Sequence, residues 1–227
     1  MISRASMVEA FLKGRFSAFL VMLVLLFLVV PLVPADMAIA NQLFGIFILA
    51  MLASCLRAIA HSRKFFWFMV AFTFLNLGIG AYAIVNPAGE HSFDVAILLI
   101  RMTYFALVFF SIMRYVLDDS PVTGDKICGA VSAYMLMGIV WSFIYELFYL
   151  SDPGNFRVAE ELATPGINHA WTFYFSFTTL TTLGYGDYVP LKQAAQSYAI
   201  MEAACGQIFL AVIIARLIAL HITHERK

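Results

Sequence analysis

The chain has 227 residues, of which 63% are hydrophobic and 12% charged, and its fourteen basic side chains balance fourteen acidic ones. So little charge cannot clothe an ordinary water-soluble domain, and there is no basic excess with which to grip nucleic acid. Cys55, Cys128 and Cys205 lie far apart and within or beside apolar stretches, which excludes a disulfide framework and a cysteine metal site.

Six apolar runs, at about 16–34, 38–60, 65–86, 93–117, 127–150 and 194–221, are long enough to cross roughly 30 Å of hydrocarbon. Helices are expected there, because a bilayer core offers no water to stray backbone groups. Lys13 and Arg15 before the first run, with Ala38-Ile39-Ala40 after it, have the look of a cleaved signal. The run is too long for that, and a membrane helix is predicted instead. In the third run, Asn76, Gly78 and Gly80 predict close helix packing with one polar tie. The fourth run, Phe93 to Leu117, carries Arg101 and Arg114, the latter placed as an anchor at its end. Asp118-Asp119-Ser120-Pro121 then breaks the chain, with Asp119 or Ser120 expected to cap a helix that Pro121 opens.

Glu146 sits near the far end of the fifth run among aromatic residues. Ser151-Asp152-Pro153-Gly154-Asn155 is a strong turn signal, and an irregular loop is expected from there to about 167. The next apolar run, about 168–181, is too short to span; Asn168 suits its N-cap. A short helix that dips in from one face accounts for this length, and the negative end of its dipole would favour a cation. In the sixth run Glu202 is an ionisable residue inside an apolar span, which marks it as functional, and it is placed to meet the short helix or the back of the segment that follows that helix. Gly206 follows, then Leu210, Ile214 and Ile218, which form one apolar stripe at four-residue spacing. His221 and His224 close the chain as pH-sensing candidates or as ordinary terminal histidines.

Basic loop residues fix the orientation. If the runs alternate, Arg4, Lys13, Arg15, Arg57, Arg63, Lys64, Arg114, Lys126, Arg216, Arg226 and Lys227 share one side, leaving Arg157 and Lys192 to the other. The positive-inside rule then places both termini in the cytoplasm. The outer face is acidic, with Asp36, Glu90, Asp94, Asp152, Glu160, Glu161 and Asp187, a distribution that concentrates cations.

Between the short run and the sixth lies Thr181-Thr182-Leu183-Gly184-Tyr185-Gly186-Asp187. An ordinary strand points alternate carbonyls to opposite sides. Left-handed angles at alternate residues turn them all one way, and Gly184 and Gly186 take such angles at little cost. Thr182 adds a hydroxyl at the inner end of that row, and Tyr185 is expected to point away and brace it. A row of this kind replaces the water shell of a cation.

The stretch resembles the selectivity filter of the potassium-channel family, with Leu183 where that family usually has Val or Ile. The resemblance implies an all-α membrane protein with the voltage-gated-like cation channel fold. Six transmembrane helices, a re-entrant pore helix and an extended selectivity filter would be divided into a peripheral domain, 1–120, and a pore domain, 121–227. Because one filter supplies one row of carbonyls, it implies a homotetramer in the lipid bilayer of a cell (inner or plasma) membrane. Permeant K+ would occupy Thr182, Leu183, Gly184, Tyr185 and Gly186, with no organic cofactor, no enzyme chemistry and no nucleic acid. The fourth helix lacks the repeated basic residues of voltage-gated members, so a degenerate sensor is expected. Arg101 is then either a helix-positioning arginine or a residual gating charge.

Further implications concern individual positions. Glu146 would tie the outer helix to the loop after the filter, or face water. Tyr174 and Phe175 stand where the family has a Trp pair that cuffs the filter. Phe175 cannot donate, so Tyr185 needs another partner, for which Thr179 is the candidate. Thr178 stands where some bacterial relatives place a Glu that pairs with the filter Asp, leaving Asp187 to water or backbone. Gly206 is the hinge position or a close-packing residue, and Leu210, Ile214 and Ile218 are gate or core. The stimulus is left to the membrane part itself, lipid, pH or a separate regulatory subunit. The rival on this scaffold is a weakly selective cation channel, against which the intact Gly-Tyr-Gly speaks.

Overall fold

The computed structural model describes residue 14 and residues 16–29, 63–85, 91–157 and 169–225. The second predicted span, Ala38-Ile39-Ala40, Cys55, Glu160, Glu161 and the expected cap Asn168 lie outside the described residues, as do the loop residues Arg4, Lys13, Arg15, Asp36, Arg57, Glu90, Arg226 and Lys227 and the side chain of His224. The described helices are α1 (Ser17–Val29), α2 (Arg63–Val85), α3 (His91–Val116), α4 (Gly124–Ser151), α5 (His169–Leu180) and α6 (Gln193–Glu225). They fall on the first, third, fourth and fifth long runs, the short run and the sixth. Asp94–Val116, Gly124–Ser151 and Gln193–Thr223 are each long and apolar enough to cross a membrane, and the chain is an integral membrane protein.

Contacts divide the chain into two compact units. One contains Met1–Ala88, Leu107–Met135 and Leu220–Lys227. Its core includes Phe16, Phe19, Leu23, Met69, Ile112 and Val116. The Asp125 carboxylate, on the first turn of α4, accepts from the Phe16 N–H at 2.7 Å and the Ser17 N–H at 3.3 Å. Two of the four orphan donors at the start of α1 are thereby met by another helix. Gly129 lets α4 approach closely, since a Cβ there would stand 3.3 Å from Val116.

The turn before α4 departs from the expected capping. Residues 117–123 hold no helix. The Lys126 N–H donates to the Thr123 hydroxyl at 3.2 Å, so Thr123 is the cap, and Pro121 precedes the helix instead of opening it. Asp118 and Ser120 serve Lys126 differently. Its ammonium, fully buried, donates to the Asp118 carbonyl at 2.5 Å and the Ser120 carbonyl at 2.9 Å. Those oxygens follow the end of α3, where carbonyls lack helical partners. In α2 the packing expectation also shifts: a Cβ on Gly78 would meet nothing within 4 Å, and the Asn76 amide donates to its own helix, at Phe72.

The other unit contains Gly89–Ala106 and Leu136–Ala219. Its core is aromatic: Tyr145, Phe156, Trp171, Phe175 and Tyr188, with Ala195. A 3-10 turn, Pro153–Asn155, and two short strands, β1 (Phe156–Arg157) and β2 (Val189–Pro190), complete it. The strands pair antiparallel, Phe156 opposite Pro190 and Arg157 opposite Val189. The predicted turn at 151–155 is thus built, with the Asp152 carboxylate accepting from the Gly154 N–H at 2.8 Å.

Candidate functional site

The site begins where α5 stops. The Thr182 N–H donates to the Thr179 carbonyl at 2.9 Å, and the Leu183 N–H reaches back to the Thr178 carbonyl at 2.8 Å. This pair of bonds is a Schellman cap, whose terminating residue sits in the left-handed region and is usually glycine. Here it is Thr182, with φ 58°. Gly184 follows at φ 51° and Gly186 at φ 81°. Every second residue from 182 to 186 is therefore left-handed. Around both glycines an added Cβ would meet nothing within 4 Å. Glycine is required there by backbone angle and not by crowding. A threonine in the same region bears a steric cost of about 1–2 kcal/mol.

Residues 181–187 are exposed within the single chain, Leu183 at 54% and Tyr185 at 68%. Among the described residues no hydrogen bond joins Tyr185 to Thr179, whose carbonyl is taken by Thr182. Asp187 meets a side chain as well as the expected backbone group. The Tyr174 phenol interacts with the Asp187 carboxylate, which accepts from the Tyr188 N–H at 3.1 Å. Thr178 is buried and its hydroxyl donates to the Phe175 carbonyl at 3.0 Å.

Behind Asp187 the chain turns into the aromatic core. Tyr188 lies flat on Trp171, centroids 5.8 Å apart and planes 14° from parallel. Phe175 meets Tyr145 edge-on at 4.8 Å and Phe156 at 5.5 Å. Such edge-to-face pairs add about 0.5–1.5 kcal/mol each beyond burial. The segment after 187 is also clipped from the other side. The Leu191 N–H donates to the Asn155 carbonyl at 2.8 Å, and the Lys192 ammonium pairs with the Asp152 carboxylate. That ammonium, with the Gly154 N–H, holds the Asp152 carboxyl below the usual carboxylate range.

The clip is made by Asp152, Asn155 and β1. Glu146 is 4% exposed, so it does not face water, and it interacts electrostatically with Arg101 of α3. Two residues singled out separately in the sequence thus act on one another inside the apolar part of the chain.

Glu202 is fully buried and is the junction of three helices. Its Oε2 accepts from the Tyr145 hydroxyl of α4 at 2.5 Å, and its Oε1 lies 2.5 Å from the Ser176 hydroxyl of α5. Ser176 also reaches the Gly138 carbonyl of α4 at 2.7 Å. One turn further along α6, a Cβ on Gly206 would come 2.6 Å from the Leu180 carbonyl oxygen, so α6 and the end of α5 touch backbone to backbone. Beyond it, Ile214 and Ile218 are exposed at 54% and 55%. Leu210 is half-buried. Cys128 is buried and Cys205 exposed, and both are free thiols. Among the described residues no cluster of His, Cys, Asp and Glu is arranged to hold a metal.

Sequence reading missed Tyr145, Ser176, Trp171 and Tyr188 as parts of this site. The signal for Ser176 was available: Ser176 and Leu180 are four apart on α5, as Glu202 and Gly206 are on α6, the spacing of two facing helix stripes.

Residues 127–221 match the family model described as "Ion channel". This segment is therefore similar to ion channel domains. Over 151 residues the chain is 34% identical to the voltage-gated potassium channel Kch of Escherichia coli (strain K12), an alignment covering 56% of this chain and 34% of that protein. The chain thus spans about a third of the relative's length. No solved structure matches it.

Proposed function

We propose that the chain is one subunit of a homotetrameric, potassium-selective channel, with residues 182–186 as its filter, α5 as a re-entrant pore helix, and α4 and α6 as outer and inner helices. The observation that carries this reading is the left-handed backbone at 182, 184 and 186, just past the end of α5. That alternation turns successive carbonyls to one side, as a dehydrated cation requires. The α5 dipole adds partial negative charge at the same end. Potassium moves passively down its gradient through a ring of four such rows, and no covalent step is involved.

The tetramer is supported by what the single chain leaves bare. In the apolar stretch of α6 only 11% of residues are buried, against 61% in α4. Ile200 and Ile208 are 71% and 62% exposed. Copies of the chain around the pore and lipid outside it supply the missing cover, and a neighbouring copy supplies the protein against which Tyr185 braces. The six-span topology, with both termini cytoplasmic in a cell membrane, belongs to the same proposal.

Voltage sensing by the peripheral helices is weak or absent in this reading. α3 carries only Arg101 and Arg114, and Arg101 is engaged with Glu146. The opening stimulus is assigned to lipid, pH or a regulatory subunit. The experiment is purified protein in planar bilayers with potassium on one side and sodium on the other. Reversal near the potassium equilibrium potential is expected. Reversal near zero selects the weakly selective cation channel, and a dimeric or monomeric particle with no current overturns the reading.

A further inference from the structure

We propose that Glu202 keeps its own proton and acts as a neutral latch, donating to Ser176 and accepting from Tyr145, that positions the pore helix and hence the filter. The inference rests on the channel reading for its consequence, but its chemistry stands on a count of protons. Three oxygen–oxygen contacts form a chain: Tyr145 Oη to Glu202 Oε2 at 2.5 Å, Glu202 Oε1 to Ser176 Oγ at 2.5 Å, and Ser176 Oγ to the Gly138 carbonyl oxygen at 2.7 Å. A carbonyl oxygen only accepts, so the one serine proton goes to Gly138. The tyrosine proton fills the contact with Oε2. The middle contact then still lacks a proton, and Oε1 is the atom that can carry it.

If instead the serine gave its proton to Oε1, its oxygen and the Gly138 carbonyl would face each other at 2.7 Å with nothing between them. Two acceptors at that distance repel. The surroundings point the same way. Among the described residues, the Tyr145 phenol is the titratable group bonded to Glu202. On α5, residues 171–180 carry no charged side chain, and the Tyr174 phenol interacts with Asp187. On α6 the charged residues nearest in sequence are Lys192, just before the helix and paired with Asp152, and Arg216. On α4, Glu146 adjoins Tyr145 in the chain but interacts with Arg101. Among the described residues no cation is paired with Glu202, so an ionised carboxylate in this apolar junction would bear its desolvation without compensation.

The latch sits where it matters for conduction. Ser176 lies one turn before Leu180, and Leu180 touches Gly206, so α6 holds α5 at two successive points just before the filter. Glu202 is a positioning residue: it contacts no ion and acts through α5.

Glutamine separates the two protonation states. The amide of Glu202→Gln accepts from Tyr145 through its oxygen and donates to Ser176 through its nitrogen, the pattern of the protonated acid. A doubly accepting carboxylate cannot be imitated in this way. In bilayer recordings, E202Q is expected to keep its steady potassium current within about twofold of wild type, whereas E202L and S176A lose roughly tenfold, the scale of one buried hydrogen bond. Raising external potassium, which occupies the filter, should restore much of the E202L and S176A current; a general folding defect would not respond. Infrared spectra should show a carboxylic-acid C=O band in wild type that is missing from E202Q.

If E202Q is as impaired as E202L, or no such band disappears, the neutral latch is refuted. If E202L fails to assemble, S176A and Y145F decide instead, and wild-type currents in both refute the positioning role. A wild-type protein without potassium current defeats the channel reading, while the infrared band still decides where the proton is.

Discussion

Residues 182–186 and the helices that hold them both depend on glycine, for opposite reasons. Gly184 and Gly186 sit in open space at φ 51° and 81°. Gly138 and Gly206 are helical and crowded: a Cβ would come 2.6 Å from the Phe177 ring at one and 2.6 Å from the Leu180 carbonyl at the other. In the first region a methyl group is wrong because of the angle, in the second because of the neighbour. The segment is thus defined by its own backbone, whereas its position is defined by close helix contacts. Substitutions that separate angle from space can break this contrast or sharpen it.

The largest effect is expected from Gly186→Ala and Gly184→Ala. Each forces a Cβ into the left-handed region at about 1–2 kcal/mol, and the chain escapes by turning a carbonyl out of the row. Potassium-selective current should vanish while the assembled particle survives, checked by reversal potential and particle mass. Alanine variants with unchanged selectivity would show that the left-handed angles are not needed.

Gly206→Ala comes next, and its sign decides between two roles. At an uncrowded hinge, alanine stabilises a helix by about 1 kcal/mol. Against the Leu180 carbonyl it overpacks instead, at about 1–3 kcal/mol. The structure favours the second, so the denaturation midpoint of the assembled particle should fall. A rise would return Gly206 to the hinge.

Thr182→Gly should do less. Glycine removes the left-handed penalty of about 1–2 kcal/mol but adds unfolded-state entropy of roughly 0.5–1 kcal/mol. Stability should barely change, whereas loss of the hydroxyl at the inner end of the row should weaken discrimination between potassium and sodium. A marked loss of stability would show that the hydroxyl holds the cap together.

How much of this was readable in advance depends on the range of the interaction. The locations of the described helices, the turn at 151–155 and the angles of Gly184 and Gly186 are local properties of composition and spacing, and they were legible. The left-handed Thr182 was not, because threonine avoids that region and only the Schellman bonds to Thr178 and Thr179 hold it there. Glu202 was marked as unusual, but its partners lie at Tyr145 and Ser176, on other helices, and nothing local names them. Glu146 shows the limit from the other side. Its neighbour Tyr145 turns to Glu202 while Glu146 turns to Arg101, since adjacent helical residues point in different directions.

The smallest effect concerns the clip between the turn at 151–155 and the start of α6, where neither glycine angle nor helix crowding operates. Lys192 and Gly154 hold the Asp152 carboxyl below its ordinary range. A carboxylate shifted downward stabilises the fold above its unfolded value, and that contribution disappears as pH falls through the lower native value. Both side chains are about half exposed, 52% and 46%, so solvent and salt screen the pair and the effect is slight. Lys192→Gln removes the charge and leaves the Asp152 bond to Gly154. Hydrogen exchange at the Leu191 amide, which donates to Asn155, should be modestly faster in the variant at neutral pH. The two proteins should converge as the medium is acidified below the carboxylate range. A difference that persists unchanged into acid would mean that Lys192 acts by packing and not by its charge.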